Sequence, residues 1–135
     1  LGIRIGSGVF IGRNTILSCK NGDIELGDGA NIGFNCELFS ASTVKVGAGT
    51  LLAAYTYVIG GDHDFSDPSK SILEQGRKSD GVSIGEGAWI GAGAKVLDGV
   101  SIGDKAIIGA GAVVTRDVPS HAVAVGIPAK VVSNR

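Results

Sequence analysis

The sequence predicts an all-β chain wound as a parallel β-helix, and three observations carry that expectation. Aliphatic residues recur every six positions, a phrase aliphatic-x-aliphatic-Gly returns at intervals near 18, and glycine is abundant (23 of 135 residues) where proline is scarce (3). From Ile84 the hexads read IGEGAW, IGAGAK, VLDGVS, IGDKAI, IGAGAV and VTRDVP. An aliphatic residue opens each one (Ile84, Ile90, Val96, Ile102, Ile108, Val114), and Ala or Val takes each fifth place (Ala88, Ala94, Val100, Ala106, Ala112, Val118). The fifth residue of one hexad and the first of the next are two apart, so they share a face of a strand. Each hexad thus supplies one short strand with a small and a branched inward side chain. The Gly, Asp and Asn residues that follow take positive φ readily and turn a corner. Three strands and three corners make a triangular coil of 18 residues, three hexads.

The coils follow in order. The first reads IGSGVF, IGRNTI and LSCKNG; the second LGDGAN, IGFNCE and LFSAST; the third VGAGTL, LAAYTY and VIGGDH. The marker phrase begins at Ile3, Ile24, Val44, Val82 and Val100, with spacings of 21, 20, 38 and 18. Subtracting 18 leaves 3, 2, 20 and 0: two small corner bulges and one excursion between Val58 and Ile84. Residues 62–81 are polar and charged, and Pro68 with the Ser-Asp-Gly stretch predicts a loop, with Phe65, Ile72 and Leu73 as apolar anchors. A loop of this length in a compact fold is usually functional. It is expected to project toward a neighbouring subunit and wall an acceptor pocket, with a purely solvated loop as the alternative. Residues 1–119 then form the β-helix, and residues 120–135 a C-terminal segment packed on the last coil. An ordinary alternating sheet would not hold a six-residue phase over so many hexads. Cys36 falls on an inward fifth place as a small core residue, and Cys19 falls at a corner.

Composition excludes several classes. Proline is too rare and glycine has no three-residue period, which excludes collagen. A net charge of −1 gives no electrostatic case for nucleic acid or an anionic membrane. No apolar run approaches the roughly 18 residues of a membrane span. Two cysteines are too few for a disulfide framework and make the cytoplasm the default compartment. The chain holds no methionine, even at position 1, which leaves open that it is one part of a longer protein.

In the motifs GGDHDF (Gly60–Phe65), WIGAGAKVLDGVSIG (from Trp89), IIGAGAVVTRDVP (from Ile107) and AVGIPAKVV (ending at Val132), the chain resembles the hexapeptide-repeat acyltransferases, in the group of maltose, galactoside and polysaccharide O-acetyltransferases. The resemblance covers nearly the whole chain. It implies a left-handed β-helix of about five coils, an exception to the right-handed crossover rule. It also implies a homotrimer with sites between subunits, acetyl-CoA as acyl donor, and transfer to a hydroxyl of a sugar or sugar-containing acceptor.

The family's catalytic histidine matches His63, which follows two glycines where the coil path is left. Histidine's ordinary pKa lies nearest neutrality, so it can take a hydroxyl proton near pH 7. Direct attack on the thioester then needs no covalent enzyme intermediate, and no serine sits in a GxSxG setting. Asp62 and Asp64 flank the histidine and could orient its ring or simply be solvated; Asp62 is also a substrate-binding candidate. Family positions that bind acetyl-CoA match Ala92, Ala110, Thr115 and Arg116, and a basic residue that reaches the nucleotide phosphates matches Lys130. Gly91-Ala92-Gly93 and Gly109-Ala110-Gly111 lie one coil apart and offer the narrow groove that a pantetheine arm needs. Trp89 matches a family tryptophan near the thioester, or else it is a hydrophobe that seals the trimer.

Acceptor residues carry over poorly. The family's sugar-binding Asn and Asp fall on Gly33 and Ala41, so Asn35 is the remaining candidate, with a turn role as its alternative. An amino-sugar N-acetyltransferase and a non-catalytic scaffold domain are the competing readings. A zinc carbonic anhydrase of this fold needs three histidines. This chain has two, and His121 is expected off the coil pattern on the surface. No metal is expected. An ice-binding helix would need a threonine ladder that Thr15, Thr43, Thr50, Thr56 and Thr115 do not form.

Overall fold

Each hexad becomes one short strand and one corner in the computed structural model, which describes residues 2–135. Three parallel sheets form the walls of a triangular helix. The first stacks Gly2–Ile5, Asp23–Leu26, Thr43–Val46, Val82–Ile84 and Ser101–Ile102. The second stacks Phe10–Ile11, Asn31–Ile32, Leu51–Leu52, Trp89–Ile90, Ile107–Ile108 and Ala122–Val125, and Lys130–Asn134 closes it in antiparallel sense. The third stacks Ile16–Cys19, Glu37–Ser40, Tyr57–Gly60, Lys95–Val96 and Val113–Val114. The winding is left-handed. The expected five or so coils resolve into five complete ones and a partial sixth, where Val118 bridges Ile102 and Ala122–Val125 pairs with Ile107–Ile108.

The strand registers reproduce the arithmetic of the repeat. Ile3 pairs with Ile24, Ile24 with Val44, Val44 with Val82, and Ser83 with Ser101. The extra residues of the first three coils all fall on one edge, the corner between the third and first sheets. There the chain runs from Cys19 to Asp23, from Ser40 to Thr43, and from Gly60 to Val82.

Inside, the first and fifth hexad places pack as predicted. Ile84, Ile90, Val96, Ile102, Ile108 and Val114 are buried, as are Ala88, Ala94, Val100, Ala106, Ala112 and Val118. The earlier coils place threonine at some fifth positions. Thr50 Oγ1 donates to the Gly85 carbonyl at 2.6 Å and Thr56 Oγ1 to that of Ala53 at 2.7 Å, so these buried hydroxyls are satisfied. Cys36 is buried, and burial pushes its thiol pKa up. Cys19 ends a strand and is half-buried.

At the corners, close stacking demands glycine. A Cβ on Gly91 would lie 2.5 Å from the backbone nitrogen of Ala110 in the next coil. Gly93 and Gly111 then turn the chain at φ 70°.

Two expectations are corrected. His121 is in phase with the coils: it takes the left-handed corner conformation (φ 63°) and its N–H donates to the Asp104 carbonyl at 2.9 Å. The excursion is also more than a loop. Asp62–His63 pairs antiparallel with Arg77–Lys78, and Ile72–Gln75 forms one helical turn between them. Glu74 Oε2 caps that turn by accepting the Ser71 backbone N–H at 2.9 Å and its hydroxyl at 2.8 Å. The expected apolar anchors are exposed instead, Phe65 at 72% and Leu73 at 87%. No helix among the described residues is long and apolar enough to cross a membrane.

Candidate active site

The excursion begins where the third coil would turn into the fourth. Gly60 is still in register, opposite Ser40. Gly61 passes so close to the second coil that a Cβ would sit 2.9 Å from the Ala41 Cβ and 3.1 Å from the Phe39 ring. The two glycines therefore let the chain peel off tightly, and the next residues, Asp62 and His63, enter the two-residue ribbon.

His63 is half-buried and lines a cavity of about 290 Å³ together with Asp62, Asp64, Phe65, Ser66, Lys78, Asp80 and Asp98. The carboxylates there mostly serve the backbone. Asp62 Oδ1 accepts the N–H of His63 itself at 2.8 Å. Asp64 Oδ1 accepts the Ser66 N–H at 2.9 Å, and that hydrogen bond holds its pKa below the usual carboxylate value. Neither acid is hydrogen-bonded to the imidazole. Asp98, on the same edge one coil further, accepts the N–H groups of Asp80 at 2.9 Å and Gly81 at 2.8 Å. It thereby pins the returning end of the excursion to the regular stack.

Lys78, Asp80 and Asp98 were not singled out from the sequence. For Asp98 a signal existed, because it lies 18 residues, one coil, before Arg116. Its setting in VLDGV reads as an ordinary corner.

The remaining candidates fall on three different parts of the triangle. Thr115, Arg116 and Lys130 come together with Pro128 and Ala129 around a second cavity of about 540 Å³. Two cations there suit an anionic group. Thr115 and Arg116 lie on the same edge as His63, where the fifth coil leaves the third sheet. Ala92 and Ala110 occupy the corner between the second and third sheets. Both are exposed, and the Gly111 N–H donates to the Ala92 carbonyl at 2.8 Å, continuing a ladder in which Gly93 donates to Ala54 at 2.9 Å. Asn35 belongs to this corner too, at φ 55° with its N–H on the Arg13 carbonyl at 3.0 Å, which is a turn residue's work. Trp89 projects from the second sheet, 49% exposed, between Leu51 and Ile107 in register. In a triangular cross-section that sheet lies opposite the His63 edge. One chain therefore joins His63 with Asp62, and Thr115 with Arg116 and Lys130. It keeps Trp89, Ala92, Ala110 and Asn35 apart from the histidine.

Comparison with known proteins agrees with this architecture. Residues 81–116 match the bacterial transferase hexapeptide family (six repeats). A probable acetyltransferase of Mycobacterium tuberculosis (strain ATCC 25618 / H37Rv) is 34% identical over 133 residues, which cover 98% of this chain and 44% of that protein. Among solved structures, a maltose O-acetyltransferase from Clostridium difficile 630 superposes with a TM-score of 0.83 at 28% identity, over 97% of this chain and 68% of the other. A galactoside acetyltransferase in complex with coenzyme A gives 0.79 at 26% identity, over 98% and 64%. The chain spans about half the length of the curated relatives it matches. Residues 81–116 carry the hexapeptide repeat of the bacterial transferases, and the coils on either side of them continue the same stacked sheets.

Proposed function

We propose that the chain carries an acetyl-CoA-dependent acetyltransferase, with His63 as the general base acting on a hydroxyl of a sugar or sugar-containing acceptor. The observation that carries this reading is the place of His63: the repeat has one long break, and the histidine lines a cavity at that break. His63 takes the acceptor's hydroxyl proton as the oxygen attacks the thioester carbonyl. The tetrahedral oxyanion collapses, the C–S bond breaks, and the imidazolium returns its proton to the departing thiolate. Arg116 and Lys130 are suited to the phosphates of coenzyme A, and the exposed corner at Ala92 and Ala110 to its pantetheine arm.

The dispersal of these residues favours a homotrimer with sites between subunits. Trp89 and the Ala92–Ala110 corner reach a His63 cavity only when a neighbouring copy supplies them. The outward chemistry of the sheets fits: the first carries Arg4, Glu25 and Lys45 in ion pairs, whereas the second exposes Phe10, Leu51 and Trp89. Two free cysteines fit a cytoplasmic setting.

The test is thiol release from acetyl-CoA with maltose, methyl galactoside, glucosamine and L-serine as acceptors. His63→Ala should lower kcat by about 10²–10⁴-fold while coenzyme A still binds. Turnover near the wild-type rate in that variant would remove the base assignment. Transfer to the amine of glucosamine alone would move the reading to N-acetylation.

A further inference from the structure

The excursion that carries His63 has few attachments. None of the residues of its helical turn is buried, and Phe65 and Leu73 are exposed. Its returning end is tied by Asp98 to Asp80 and Gly81, but that tie lies beyond the ribbon. At the ribbon itself, His63 is paired directly with Arg77. The Arg77 guanidinium lies over the ring of Phe39, 5.8 Å from its centroid. Phe39 belongs to the regular third sheet, in register between Ser18 and Ile59. Gly61, just before the outgoing strand, packs close to the same ring. One aromatic side chain of the scaffold thus lies beside Gly61, where the chain enters the excursion, and beneath Arg77 of the returning strand, and the second contact is a cation on an aromatic face, an attraction that holds direction as well as distance.

We infer that Arg77 is a positioning residue: clamped on Phe39, it fixes the ribbon and through it the place of His63 on the coil edge. The inference rests on the proposed role of His63 for its catalytic consequence, but not for its structural one. Misplacement of a reacting group by about 1 Å can cost about 100-fold in rate. Arg77→Ala should therefore lower kcat about 10- to 100-fold, measured with whichever of maltose, methyl galactoside, glucosamine and L-serine the wild type turns over fastest. KM for acetyl-CoA should be unchanged.

Phe39→Leu should reproduce the loss, Phe39→Tyr should keep the rate, and Arg77→Lys should recover part of it. The double variant Arg77→Ala with Phe39→Leu should be no slower than either alone, since both remove one contact. The readout independent of turnover is the NMR signal of the His63 ring in the full chain. It should be a single sharp resonance in the wild type and broadened or multiple in Arg77→Ala. An unchanged His63 resonance in Arg77→Ala overturns the inference, and so does additive loss in the double variant. A disturbed resonance with undiminished kcat upholds the clamp and removes instead the reading of His63 as the base.

Discussion

The regular stack and the excursion are built on opposite plans. In the stack, stability comes from repetition: inward aliphatic residues lie over their equivalents in the neighbouring coils, and every strand between the ends of a sheet bonds to the strand above and below. The excursion has no buried apolar residue from its helical turn. Asp64, Asp67 and Gln75 accept backbone N–H groups of the excursion, Glu74 caps Ser71, and one guanidinium rests on Phe39. The first plan resists local change because any altered layer disturbs two neighbours. The second can be altered residue by residue without touching a core. Chemistry is therefore expected in the second region and stability in the first, and substitutions can separate them.

The sharpest separation is His63→Ala. Its loss of about 10²–10⁴-fold in kcat should come with a melting temperature within a degree or two of wild type (about 0.5 kcal/mol or less, as for surface sites). A large drop in thermal stability would blur the division. Ile90→Ala is the converse. Ile90 is fully buried between Leu52 and Ile108, and truncation should cost about 2–5 kcal/mol in chemical denaturation.

Lys130→Ala tests the cavity that Arg116 and Lys130 line. Losing a charge-assisted contact to phosphate should weaken coenzyme A about 10- to 100-fold by calorimetry. Stability and affinity for dephospho-coenzyme A should be largely spared. Equal weakening of both ligands would place Lys130 elsewhere than on that phosphate.

The gentlest probe is acid. Hydrogen bonds from Ser66, Ser69 and Ser71 hold the pKa values of Asp64, Asp67 and Glu74 below their ordinary values of 3.8, 3.8 and 4.5. A carboxylate with a depressed folded-state pKa contributes stability that is fully present above its unfolded value and is lost as pH falls through the folded one. Protection of the Ser66, Ser69 and Ser71 amides, relative to their intrinsic exchange rates, should therefore fall below about pH 4, while the amides of Leu52 and Ile90 stay protected. Simultaneous exposure of both sets would mean that the two regions are one cooperative unit.

The same contrast explains what could be read from the sequence. The six-residue phase identified the inward positions, the coil registers and the size of the break, because each coil repeats the same local problem and solves it with the same residue types. His63 was singled out because the family's histidine matches it and because it stands where that repetition stops. The ribbon and its capped turn were not, since two-residue strands carry no periodicity and Ser71 and Glu74 cap a turn too short to show a helical stripe. Phe65, Ile72 and Leu73 looked like anchors because apolar residues in a polar segment usually find a core, and here the core is already filled. Asp98 looked like a turn residue and is one, but the N–H groups it holds belong to the excursion. Arg77 and Phe39 are 38 positions apart and meet only because two coils bring them to one edge.

Confining the three insertions to a single edge has a consequence for how the chain assembles. A solenoid folds by adding one coil at a time onto the last, each step closing a loop of one repeat. Closing Val44 onto Val82 spans 38 residues where Val82 onto Val100 spans 18. That is about one doubling, and the entropic cost of a doubled loop is only about 0.6 kcal/mol. Zipping across the break should hardly slow. Segments of many lengths can be spliced there at nearly constant kinetic cost, which makes this edge the natural place for such a protein to vary what it recognises.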